Sequence, residues 1–127
     1  MKDGYPTAGA ELPATDPSAL DRLKKFGGDK LLGEMIALFL ATAPERIAAA
    51  RAAGARKDVD GAERALHSLR SSAAQLGAMH LQCLSEQGEH RARAGSLDGL
   101  TQLADGLEQE LARVRAWLIR ARDEGAA

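Results

Sequence analysis

His67, Arg70 and Ser71 stand in one stretch, residues 65–78, where residue types and spacing could do chemistry. Read as a helix, Leu66, Leu69, Ala73 and Leu76 recur at steps of three and four, so they form an apolar stripe facing a core. His67 falls well off that stripe, which places its imidazole in water. Its neighbours on the helix surface are Glu63 and Arg64 before it and Arg70 and Ser71 after it, with Ala74 and Ala78 further along the same side. An exposed imidazole beside cations, over a floor of small residues, can be approached closely by another protein. Arg70 can neutralise an anion held there. A surface histidine without such company is ordinarily just one more solvated polar group.

The run His67-x-Leu69-Arg70-Ser71-Ser72-Ala73-x-x-Leu76-Gly77 resembles the signature of the histidine phosphotransfer (HPt) domains of bacterial phosphorelays, His-x-Leu-Lys-Gly-Ser-Ser/Ala-x-x-Leu-Gly. Arg70 stands where Lys is usual and keeps the charge. Ser71 stands where Gly is usual and adds a hydroxymethyl group beside the histidine. The resemblance extends over about residues 18–122, through Phe39-Leu40-Ala41-Thr42-Ala43-Pro44 ahead of the motif and Leu81, Leu84 and Glu89 behind it.

The resemblance implies that His67 accepts a phosphoryl group from the aspartyl phosphate of one receiver domain and hands it to the aspartate of another. Arg70 would pair with the phosphoryl oxygens, and Ser71 would lie beside the phosphorylated ring. Arg64, Ala74 and Ala78 would belong to the docking surface. A neutral imidazole is a good nucleophile near neutral pH, and phosphoryl transfer needs mainly positioning and charge neutralisation. The receiver would bring the aspartate and the Mg²⁺, so no cofactor or metal of this chain's own is implied. Glycine-rich phosphate loops are absent from the sequence, which fits a phosphocarrier and not an ATP-using kinase or other enzyme. Two further readings are a degenerate HPt-like helical module that binds receivers without phosphotransfer, and a domain of a chemotaxis-type kinase.

The elements that must position these residues are all helical. Hydrophobic residues make up 45% of the 127 residues but aromatic ones only 3%, and strand-forming runs are missing, so the composition is that of an all-α protein of one domain. Residues 1–15 carry glycines and prolines without apolar period and are expected to be a flexible arm. Asp16-Pro17 opens a short helix with Leu20, Leu23 and Phe26 inward, ended by Gly27-Gly28. Asp29 caps a longer helix whose stripe keeps phase across Pro44 up to Gly54, which favours one long, kinked helix over the alternative of two meeting at Thr42 or Ala43. Asp58 or Asp60 starts the helix of His67, and Gly77 stops it.

A further helix is expected from Met79 to Arg93, weakened at Gly88 unless a neighbour approaches closely there. The last runs from about Leu97 to Arg122, and residues 124–127 form a tail. Short connections make these helices an antiparallel up-down four-helix bundle over residues 16–123, with the short extra helix closing one end.

A net charge of −1 gives no pull toward nucleic acid or an anionic membrane. The lone Cys83 excludes an internal disulfide and fits a reducing cytoplasm. The longest apolar run, Met35 to Ala43, is too short to cross a bilayer. The chain therefore reads as cytoplasmic, and as a monomer because each stripe can be buried within one bundle; receiver domains as partners are what the resemblance implies. His67, His80 and His90 lack the i, i+4 spacing that brings two imidazoles to one metal. Trp117 reads as packing at the edge of the last helix.

Overall fold

The computed structural model describes residues 14–126. Its helices are α1 (Pro17–Ala55), α2 (Val59–Leu76), α3 (Met79–Arg93) and α4 (Leu100–Ala126). α1 packs on α2 and α4, and α3 packs on the same two, which closes an up-down four-helix bundle. Among the described residues there is no strand, only an isolated bridge between Thr15 and Ala78.

α1 starts as its sequence dictates, with the Asp16 side chain accepting the Ser18 N–H at 3.0 Å and Pro17 in the first turn. The run breaks at Gly28 (φ 71°, ψ −167°), so the short first helix and the long second one form a single kinked element. Beyond the break the helix continues through Pro44. Leu32, Ile36, Phe39, Ala43, Ile47 and Ala50 are all buried, and this unbroken stripe holds the two sides of the proline in one phase. Phe26 departs from expectation: it is 91% exposed. Ala19 and Leu20 dock the first segment and Leu23 is half-buried, while Phe26, just before the break at Gly28, faces solvent.

α2 is capped by Asp58 and not Asp60, through the Gly61 N–H at 2.9 Å. Gly77 ends it at φ 75°, with the Ala78 N–H returning to the Ala73 carbonyl (2.9 Å) and the Gly77 N–H to Ala74 (3.3 Å), a Schellman closure. A side chain at Gly77 would also press on the Asp16 carbonyl and come within 3.0 Å of the Ala19 methyl.

That crowding reflects a tie between the chain's start and the α2–α3 turn. Asp16 N–H donates to the Gly77 carbonyl (2.8 Å). The Ala14 carbonyl accepts from Met79 N–H (2.9 Å) and His80 N–H (3.3 Å), serving as the cap that the Ala78 side chain cannot provide for α3. Ala14 and Thr15, expected in the arm, are thus part of the bundle, while the rest of the arm, residues 1–13, lies outside the described residues. At the other end α4 runs to Ala126 and takes in residues 124–126 of the expected tail.

α3 has the bounds its sequence predicts. Its Gly88 is a point of close approach: a Cβ there would meet the Leu103 side chain of α4 and lie 2.8 Å from Leu66 Cδ1 of α2. α4 begins at Leu100 and not at Leu97, because Ser96 Oγ accepts the Asp98 N–H (3.2 Å) and Gly99 adopts φ 75°, which together hold the chain in a turn. Leu100, Leu103, Leu107, Val114 and Leu118 then complete the core. Among the described residues no helix is long and apolar enough to cross a membrane.

Candidate functional site

The stripe of Leu66, Leu69, Ala73 and Leu76 is fully buried and fixes the rotation of α2. His67 is thereby turned outward, and its side chain is 54% exposed. Arg64, Ser71 and Ala74 are exposed on the same side, and Arg70 is half-buried. Ala78 is not with them. The helix ends at Gly77, so the periodicity that would carry Ala74 on to Ala78 stops there, and the chain turns inward under Thr15, leaving Ala78 with no exposed surface.

α3 brings a carboxylate to the ring. Glu89 is 1% exposed, and its Oε2 lies 2.7 Å from His67 Nδ1. Arg70 Nε donates to Glu89 Oε1 at 2.6 Å, and Arg93, one turn further along α3, donates through its terminal nitrogen to Oε2 at 2.8 Å. Arg93 also donates through Nε to Glu63 Oε2 at 2.8 Å, so Glu63, Arg93, Glu89, Arg70 and His67 form one connected set.

Burial would raise the Glu89 carboxyl, but the hydrogen bonds from Arg70 and then His67, with their charges, outweigh it and hold the group below its ordinary range. Glu89 is therefore an acceptor only, and the proton of a neutral His67 belongs on Nδ1, donated to Oε2. The Arg70 terminal nitrogen, 3.0 Å from Nδ1, then faces a second donor. Its closeness places positive charge beside the ring, while the guanidinium's hydrogen bond runs to Glu89. This proton placement leaves the lone pair on Nε2, at the exposed end of the imidazole. The arrangement is a nucleophilic nitrogen facing outward, its opposite nitrogen anchored to a buried carboxylate, with two arginines adjoining.

Of the motif residues, Arg70 comes within 3.0 Å of His67 Nδ1, and Ser71 is exposed on the same side of α2. Glu89 entered the sequence reading only through the likeness of its helix, and Arg93 not at all. A signal for Glu89 was present: it follows Leu81, Ser85 and Gly88 on the inward face of α3, and a carboxylate on a buried face needs cationic partners. His80 and His90 lie elsewhere, His80 buried at the start of α3 beside Glu110 and His90 exposed near its end.

The likeness to solved structures is close in shape. The crystal structure of histidine-containing phosphotransfer protein B from Pseudomonas aeruginosa PAO1 superposes with a TM-score of 0.82, covering 90% of this chain and 98% of the other at 24% sequence identity. That likeness establishes the shared bundle. No curated protein sequence matches the chain. The Hpt domain family model matches residues 34–117, which include more than half of α1, the whole of α2 and α3, and most of α4. The chain thus belongs to the Hpt domain family, the phosphocarrier modules of two-component phosphorelays.

Proposed function

We propose that His67 Nε2 takes a phosphoryl group from the aspartyl phosphate of a receiver domain and passes it to the aspartate of another. The observation that carries this is the pinned imidazole: Nδ1 bound to Glu89 at 2.7 Å, Nε2 in solvent, and Arg70 alongside. In the forward step the Nε2 lone pair attacks phosphorus, the P–N bond forms, and the P–O bond to the receiver's carboxylate breaks. The ring becomes cationic, and Glu89 stabilises that charge through Nδ1–H. Arg70 then offers charge to the phosphoryl oxygens. The Mg²⁺ for this transfer belongs to the receiver.

Docking is supported by exposed small residues around the ring and by a groove between α1 and α2. Met35, Leu38, Phe39, Ser72, Gln75 and Leu76 line it, and Leu38 is 57% exposed. An exposed leucine beside small side chains suits a partner that must approach closely. The test is incubation with a panel of phosphorylated receiver domains. An acid-labile, base-stable label is expected on the wild type and absent from His67→Gln; no label from any receiver overturns the proposal.

A further inference from the structure

Glu63 precedes His67 by one helical turn and shares its face of α2. Its carboxylate, 29% exposed, accepts the Arg93 Nε–H at 2.8 Å. The same guanidinium reaches Glu89 Oε2 at 2.8 Å, and that oxygen is the one that accepts from His67 Nδ1. Arg93 is therefore held at two points, one a buried oxygen next to the imidazole and the other an outer carboxylate. Its side chain is 57% exposed, against 30% for Arg70, so it has more room to turn.

A phosphoryl group on Nε2 would bring up to two negative charges to this face. Three anions, Glu63, Glu89 and the phosphoryl group, would then be shared among Arg70, Arg93 and the cationic ring, with exposed Arg64 on the same side of α2 and without a hydrogen bond to Glu63 or Glu89 among those described. Arg70 is bound at the buried Glu89 Oε1 and already adjoins the ring. Arg93 could keep its hydrogen bond to Glu89 and aim Nε and its second terminal nitrogen at phosphoryl oxygens, but only by leaving Glu63.

We infer that Glu63 is a positioning residue that competes with the phosphoryl group for Arg93, keeping the phosphohistidine incompletely neutralised and so ready to give up its group. The inference rests on the phosphotransfer reading above. In onward transfer the N–P bond breaks, a P–O bond forms to the acceptor carboxylate, and the electron pair returns to Nε2. Weaker neutralisation of the starting phosphohistidine favours that direction.

Loading His67 chemically isolates the effect from any receiver. Potassium phosphoramidate serves as the probe: Nε2 attacks phosphorus, ammonia leaves, and ³¹P NMR follows titration of the attached phosphoryl group. Glu63→Gln is expected to release Arg93 and lower the phosphoryl pKa by about 0.3–0.7 units, the size of one partly exposed charge pair. In an Arg93→Gln background the same change should have no effect, and Glu63→Asp, with a shorter reach, should fall between wild type and Glu63→Gln. An unshifted Glu63→Gln, or an equal shift in both backgrounds, overturns the inference, the second outcome meaning direct repulsion by Glu63. A wild type that takes no phosphoryl group from phosphoramidate or from phosphorylated receivers fails at an earlier point and overturns the phosphotransfer reading itself.

Discussion

Among the described residues two histidine–glutamate pairs have buried carboxylates, and they differ in every respect that matters for chemistry. At the α2–α3 seam, Glu89 receives hydrogen bonds from His67, Arg70 and Arg93, and the histidine it holds is 54% exposed. At the α3–α4 seam, Glu110 lies 3.7 Å from His80 Nδ1, too far for a hydrogen bond, and both side chains are nearly buried, at 9% and 11% exposure. Among the described residues no group hydrogen-bonds Glu110 Oε2, and the exposed Arg113 reaches its other oxygen at 3.4 Å. Proximity of a carboxylate to an imidazole is thus not what makes a site. Saturation of the carboxylate and exposure of the far ring nitrogen do, because the first fixes where the proton sits and the second lets a reactant arrive.

Exchanging the histidines one at a time tests this contrast most severely. With a phosphorylated receiver as donor, His67→Gln should lose all label, while His80→Gln should keep transfer within about twofold, since it lies outside the set of groups around the reacting nitrogen. Substantial loss in His80→Gln would erase the distinction between the seams.

The carboxylates come next. Glu89→Ala leaves Arg70 and Arg93 without their shared anion and His67 without its anchor. Both arginines can turn toward water, so the stability cost should be about 1–3 kcal/mol by urea denaturation, well short of that for a sealed ion pair. Transfer should slow by about tenfold or more, because the proton on the ring is no longer pinned to Nδ1. Unchanged transfer in a folded Glu89→Ala would show that the buried carboxylate is structural only.

Much of this contrast was hidden from the sequence, and the reason is physical. Periodicity reports which way a residue faces on its own helix, so it found the bundle, the bounds of α3 and the outward turn of His67. The continuity of the stripe across Pro44 likewise signalled one helix, and Gly77 signalled the end of another. What periodicity does not report is what stands opposite. Phe26 lies near an inward-facing direction yet is exposed among the described residues, and Ala78 lost its expected exposure because Thr15 pairs with it. Glu89 and Arg93 meet His67 across an interhelical seam, where only the registry of α2 against α3 decides the pairing. Gly88 shows the same: its missing side chain read as either a loose spot or a close approach, and only the packing of α2 and α4 decides for the approach, with Leu103 and Leu66 filling the space.

At the second seam the expected sign reverses. Glu110→Leu replaces a buried carboxylate, one of whose oxygens accepts no hydrogen bond among the described residues, with an apolar side chain of similar volume beside Leu107 and Val114 on the same helix. Removing a buried oxygen that accepts no hydrogen bond relieves a desolvation cost, so the variant should unfold at an equal or higher urea concentration, by up to about 1 kcal/mol. Destabilisation on the scale of Glu89→Ala would mean that the two pairs are energetically alike despite their geometry.

The smallest effect concerns acid. The Glu89 carboxyl is held below its ordinary range in the folded protein, so the stability it contributes is fully present above that range and is lost as pH falls through the lowered folded value. Glu89→Gln has nothing to protonate at this position. Its urea midpoint should therefore lie below that of the wild type near neutral pH, and the gap should narrow as pH is lowered toward about 3. A gap that stays constant across that interval would show that the arginines do not favour the charged form of Glu89 in the folded state, and with it the assignment of the imidazole proton to Nδ1 would lose its basis.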